Sequence, residues 1–236
     1  MESFFRAPIT YFLKEGRENL PECLRIAFEA AKQQNVEKIV IFTAQGEGVK
    51  LAIEGFCSQS EYKDMRLVAV TFPNGKTFSD PSGKPVVVEV GQEDRALFER
   101  SGVPIVRAHL PFDPIGSCFK NQGVLAQDLS LVGNALNMFC GSMSLCVQAI
   151  VLACDAGAVE LGEHVVAMTS DTAILAQATS TRRMLRELVI REVLCKPAIL
   201  SIGREELAER PSRHRLAEEG KGNSSPRKSK TRRDGK

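Results

Sequence analysis

The chain reads as a three-layer α/β domain, with helices on both faces of a largely parallel sheet, followed by a basic tail. Three observations predict this. Short runs of consecutive apolar residues, such as Ile39-Val40-Ile41-Phe42 and Leu67-Val68-Ala69-Val70, alternate with segments of helical periodicity, as expected of parallel strands covered on both sides. The length, 236 residues with 43% hydrophobic and 25% charged, suits one globular domain with a sizeable core. The composition changes only once, near residue 204, so the expected division is a domain over residues 1–203 and a charged, mostly disordered tail over 204–236.

The elements follow in order. Asn19-Leu20-Pro21-Glu22 signals a helix start: Asn19 can accept bonds from free amides, Pro21 sacrifices no needed donor, and Glu22 suits the positive end. Leu24, Ala27, Phe28 and Ala31 carry the helical stripe to about residue 35. Residues 36–43 predict a buried strand, 48–56 a helix, and 65–72 a second strand; the polar stretch 73–85 reads as a loop. A helix over 92–101 and a strand over 104–109 come next, then a turn-rich segment from 110 to 123. Apolar residues at 125, 129, 132, 136 and 139 predict a helix over 124–139. Residues 143–156, apolar nearly all round, predict a helix buried in the middle of the domain. Strands at 165–169 and 172–178, a short helix near Arg182 and a last strand at 188–195 complete the body.

Charge is distributed unevenly. Residues 221–236 hold seven Lys/Arg against Asp234, so the net charge of +2 conceals a mildly acidic body, and any electrostatic case for nucleic acid rests on the tail. The seven cysteines form an odd set without C-x-x-C spacing and sit mostly in apolar runs, the signature of reduced, buried thiols in an intracellular compartment. No basic-then-apolar leader and no run of 18 apolar residues occurs, so a soluble cytoplasmic protein is expected.

In open α/β sheets ligands bind beyond the carboxyl ends of strands, which singles out three loops. Thr43-Ala44-Gln45-Gly46-Glu47-Gly48 leaves a strand and enters a helix; its glycines permit close backbone approach and the helix start offers amides to an anion. Glu47 works against that, because it already satisfies the helix dipole and repels phosphate. His109 closes a strand and faces a turn-rich loop that also holds Cys118, a place for a titrating group. Met168-Thr169-Ser170-Asp171-Thr172 joins two strands with hydroxyls beside a carboxylate, suited to a sugar-like chain or to an ordinary hydrogen-bonded turn. Asp155, at a helix end before Gly157, opposes the dipole there and asks for a partner or a role. The scattered His109, His164 and His214 give no metal signature, and no nucleophile elbow, Walker loop or Rossmann fingerprint is present.

Taken in order, several segments resemble the pyruvate kinase C-terminal domain-like proteins, stand-alone relatives of the regulatory domain of pyruvate kinase. The resemblance runs from about Tyr11 to Pro197. It is carried by the nine residues from Tyr11 to Asn19, the strand and turn from Ile39 to Gly48, Leu67-Val68-Ala69-Val70-Thr71, Cys154-Asp155-Ala156-Gly157-Ala158, Asp171-Thr172-Ala173, and Arg191-Glu192-Val193-Leu194-Cys195-Lys196-Pro197. It implies a phosphorylated small-molecule ligand, flavin mononucleotide or a similar molecule, held at Thr43, Ala44, Gln45, Gly46 and Gly48. It further implies that Thr71, His109, Asp155, Asp171 and Thr172 line the cleft; with no metal signature in the sequence, no metal is expected. Where the family tends to carry hydroxyls around the phosphate turn, this chain has Ala44, Gln45 and Gly48. Pyruvate kinase activity is not implied, since the catalytic barrel takes about 250 further residues.

Three functions are compatible with this reading. The first is a small-molecule-binding protein of the pyruvate kinase C-terminal type. The second is an enzyme acting on the ligand or using flavin, with His109 or Asp155 as proton carriers, although no complete catalytic constellation is visible. The third is an interaction protein with a degenerate pocket, acting through the basic stretch from Pro226 to Arg233, which resembles a nuclear-import or phosphate-backbone-binding segment and reads equally as a solubilising tail without interleaved aromatics; a homo-oligomer is also left open.

Overall fold

The computed structural model describes residues 7–79, 82–113 and 129–198. Its elements are β1 (Thr10–Phe12), a 3-10 turn (Arg17–Asn19), α1 (Leu20–Gln33), β2 (Lys38–Phe42), α2 (Glu47–Ala52) running into a π turn (Ile53–Cys57), a second 3-10 turn (Ser60–Tyr62), β3 (Arg66–Thr71), β4 (Thr77–Ser79), β5 (Pro85–Val87), α3 (Gln92–Arg100), β6 (Ile105–Arg107), α4 (Ser130–Asn137), α5 (Met143–Asp155), β7 (His164–Met168), β8 (Ala173–Gln177), α6 (Met184–Glu187) and β9 (Val189–Pro197). Nine strands fall into a seven-stranded sheet, ordered β1-β9-β8-β7-β2-β3-β6, and the β4-β5 hairpin. Six strands of the large sheet run the same way; β8 alone is antiparallel to both neighbours.

The central strands are apolar at consecutive positions because each face meets a helical layer. Ile39, Ile41, Leu67, Ala69, Val166 and Met168 point into one core with Leu24 and Phe28 of α1. Val40, Phe42, Val68, Val70, Val165 and Ala167 point into the other, with Cys146 and Ile150 of α5. β2 is locked between β3 and β7, Val40 standing opposite Val68 and Ala167. Burial of α1 along Leu20, Cys23, Leu24, Ala27, Phe28 and Ala31 follows its stripe, while Arg25 pairs with Glu22 and Glu29 outside. Asn35 ends this helix in the left-handed region (φ 53°), and Gly157 (φ 72°) does the same after α5. The three-layer, mostly parallel α/β arrangement expected from the sequence is present.

Several local expectations are corrected. Asn19 makes no side-chain capping bond; a 3-10 turn precedes α1, and the Asn19 amide instead donates to the Lys14 carbonyl at 2.8 Å. The stretch expected as a loop at 73–85 contains β4 and the first residue of β5, two exposed strands that pair with each other. β1 was not anticipated: three residues have no periodicity, and pairing with β9 defines them. The helix expected over 124–139 is described only as α4; Leu129, Val132 and Leu136 pack on the core, but Phe139 lies beyond the helix end and is 57% exposed. The last strand runs two residues further than expected, to Pro197. Leu125, Cys118, the boundary at 203 and the basic tail lie outside the described residues.

Candidate ligand cleft

The carboxyl ends of β2, β3 and β7 meet the starts of α2 and α5 around a cavity of about 320 Å³. Its apolar wall is Leu20, Ile41, Phe42, Phe72 and Leu145; its polar groups are Arg17, Thr43, Glu47, Ser142, Thr169 and Ser170.

The turn after β2 is built from within. The Thr43 amide donates to the Val70 carbonyl at 2.9 Å, prolonging the β2-β3 ladder, and Thr43 Oγ1 accepts the Gly46 amide at 2.9 Å. Thr71, fully buried beneath, donates to the Ala44 carbonyl at 3.4 Å. Gly46 is required by its φ of 105°, and a Cβ there would stand 3.2 Å from the Phe98 ring. Gly48 lets α2 sit on the sheet, a Cβ there reaching 3.2 Å from Ile41. Both glycines therefore have a packing reason, independent of any ligand.

Arg17 crosses the mouth of the cavity. Its guanidinium donates to Glu47 Oε1 at 2.9 Å and to Gln45 Oε1 at 3.4 Å. The backbone beneath it is anchored, since the Gly16 amide donates to Asp171 Oδ2 at 3.1 Å. Asp171 is buried, and its other oxygen accepts from the hydroxyls of Thr172 at 3.2 Å and Thr169 at 3.4 Å. Behind this turn Cys140 Sγ lies 3.3 Å from Thr172 Oγ1, Cys146 donates to the Thr172 carbonyl, and Cys23 lies 3.5 Å from Cys195. Burial pushes the Cys146 thiol well above its ordinary value. Hydrogen bonding with Cys195, followed by burial, does the same to Cys23. The raised values keep Cys23 and Cys146 protonated near neutral pH.

The residues singled out in the sequence thus separate into groups. Thr43, Ala44 and Gly48 line the cavity, Gln45 and Gly46 complete its turn, and Thr71 supports it from below. Asp171 and Thr172 sit behind the wall, where they hold backbone. His109 and Asp155 are elsewhere: with Thr181 they line a larger cavity, about 960 Å³, along the outer side of β6. There Asp155 Oδ1 accepts the Thr181 amide at 3.1 Å, giving it a partner, and His109 Nε2 lies 3.3 Å from the Asp113 carbonyl. Arg17, Phe72, Ser142 and Leu145 are the cleft residues that sequence reasoning missed. Arg17 lay within the Tyr11–Asn19 segment already noted, but nothing local indicates where its side chain reaches.

Among the described residues no group of three or more His, Cys, Asp or Glu is placed to hold a metal, and no helix is long and apolar enough to cross a membrane. The cleft offers hydroxyls, one guanidinium, one carboxylate and an apolar wall.

No protein-family model matches the chain. Among solved structures, it is similar to the crystal structure of Cryptosporidium parvum pyruvate kinase, with 14% identity and a TM-score of 0.32 over 68% of this chain and 22% of that one. The same enzyme in complex with ADP gives 13% identity and a TM-score of 0.30, over 75% and 23%. The chain therefore spans less than a quarter of the length of the pyruvate kinases it matches, and the likeness is weak.

Proposed function

We propose that this chain is a small-molecule-binding protein that takes a phosphorylated ligand, flavin mononucleotide being the first candidate, in the cleft at residues 43–48. The observation that carries this reading is the convergence of the Thr43 turn, Arg17 and the start of α5 on one cavity at the carboxyl ends of parallel strands. Polar groups on one side suit a phosphate and hydroxylated chain, and Leu20, Phe72 and Leu145 suit a flat apolar ring. The missing side-chain hydroxyls at Ala44 and Gly48 leave Thr43, Ser142, Ser170 and Arg17 as the donors, the Thr169 hydroxyl being engaged by Asp171. Pyruvate kinase activity forms no part of the proposal. Six free cysteines among the described residues support a reducing, cytoplasmic setting.

The test is the absorption of the purified chain between about 350 and 500 nm, followed by thermal melting with added flavin mononucleotide. A bound flavin spectrum, or stabilisation of about 2.7 kcal/mol at a hundred times the dissociation constant, is the expected outcome. A colourless protein whose melting ignores flavin mononucleotide and other phosphorylated compounds overturns the reading.

A further inference from the structure

Among the described residues Arg17 and Glu47 are the only charged side chains lining the cleft, and they face each other across its mouth at 2.9 Å. Their charges cancel, so the cavity presents no net charge to an incoming anion. That explains a contradiction within the sequence: a loop shaped for phosphate carries an acid at the helix start, where it repels phosphate. The acid is matched by a cation from a distant segment.

We propose that Arg17 is the phosphate-binding side chain of the cleft and that Glu47 holds it in reserve, a ligand phosphate displacing the carboxylate from the guanidinium. This inference rests on the binding reading above.

The geometry supports an exchangeable pair. The Arg17 and Glu47 side chains remain 69% and 44% exposed, so their contact is worth little and is readily broken. The arginine backbone, by contrast, is fixed, because Gly16 (φ 143°) is tied to buried Asp171. A guanidinium presents five donors in a planar fork, and only two acceptors are engaged here. A dianionic phosphate matches that fork and carries more charge than the carboxylate. Once displaced, Glu47 has an alternative cation one turn along α2, since Lys50 is engaged only at 3.6 Å, by Asp94. The pair thus acts as a threshold: phosphorylated ligands compete successfully with Glu47, and their unphosphorylated counterparts do not. Asp171 is a positioning residue in this scheme, acting on the ligand through Arg17.

The experiment is fluorescence titration of flavin mononucleotide and riboflavin with the full chain and with E47Q, R17Q and the double variant, both side chains being exposed enough for the variants to fold. Expected results are that E47Q binds flavin mononucleotide about three- to fivefold more tightly than the unmodified chain, that R17Q binds at least about tenfold more weakly, and that the double variant matches R17Q. Riboflavin affinity changes little throughout. If E47Q stays within about twofold of the unmodified chain, or R17Q keeps its affinity, the reserve mechanism is overturned while the cleft assignment stands. If neither the unmodified chain nor E47Q binds flavin mononucleotide, both fall together.

Discussion

The buried carboxylate of Asp171 accepts the amide of Gly16 at 3.1 Å, joining positions 155 residues apart. Through this bond the turn between β7 and β8 fixes the segment that carries Arg17. Replacing Asp171 with Ala leaves the Gly16 amide and two threonine hydroxyls without their acceptor, at a cost of about 2–3 kcal/mol. Calorimetry is expected to show melting lowered by about 4–12 °C, with weaker flavin mononucleotide binding. Unchanged melting in D171A rejects the anchoring role.

The two glycines of the cleft turn should respond differently to alanine. At Gly46 a side chain meets both a φ of 105° and the Phe98 ring, so G46A is expected to lose about 1–3 kcal/mol. At Gly48 the backbone is helical and the neighbour is one methyl of Ile41. The helix preference of alanine, about 1 kcal/mol, offsets the crowding, and G48A should lie within about 1 kcal/mol of the unmodified chain. Urea midpoints decide the order, and an equal loss at both positions contradicts it.

Cys154 is only half-buried, yet burial first, then the nearby carboxylates of Asp155, Glu160 and Glu163, push its thiol up to about 11 from 9.0. At pH 8 its alkylation by iodoacetamide should be about a hundredfold slower than that of an unperturbed thiol. Mass spectrometry of timed samples reads the rate; rapid native-state labelling at Cys154 refutes the expectation.

The raised thiols also set the alkaline limit of stability. For Cys23 and Cys146 the folded value lies above the ordinary 9.0, so the unfolded chain loses these protons first. Their contribution is present in full below about pH 9 and is lost as pH rises through the folded values. Denaturant midpoints should therefore fall above pH 9, and C146A should fall less steeply. A flat profile from about pH 8 to 10.5 counts against this account.

The central fold was legible because its signals are local: β2, β3 and β7 are short apolar runs, and α1 and α5 announce their burial by spacing. β1 and the β4-β5 hairpin were not, since three-residue strands owe their existence to a partner elsewhere in the chain. The turn at 43–48 could be read from its glycines, whereas Arg17 is brought there by Asp171. The misplacement of Asp155 has a topological cause. A helix leading into a parallel strand runs opposite to it, so α5 starts at the cleft, with Ser142 and Leu145, and ends near the amino ends of the parallel strands, where Asp155 meets Thr181.

The pairing of β1 with β9 has a mechanical consequence. Thr10 stands opposite Cys195 and Phe12 opposite Pro197, with both strands pointing the same way. Tension applied at residue 7 and residue 198 therefore pulls the two strands along their lengths in opposite directions, loading their hydrogen bonds together in shear instead of peeling them one at a time. The first and last described strands thus act as a clasp, and the cores behind them feel a stretching force only after that clasp has slipped.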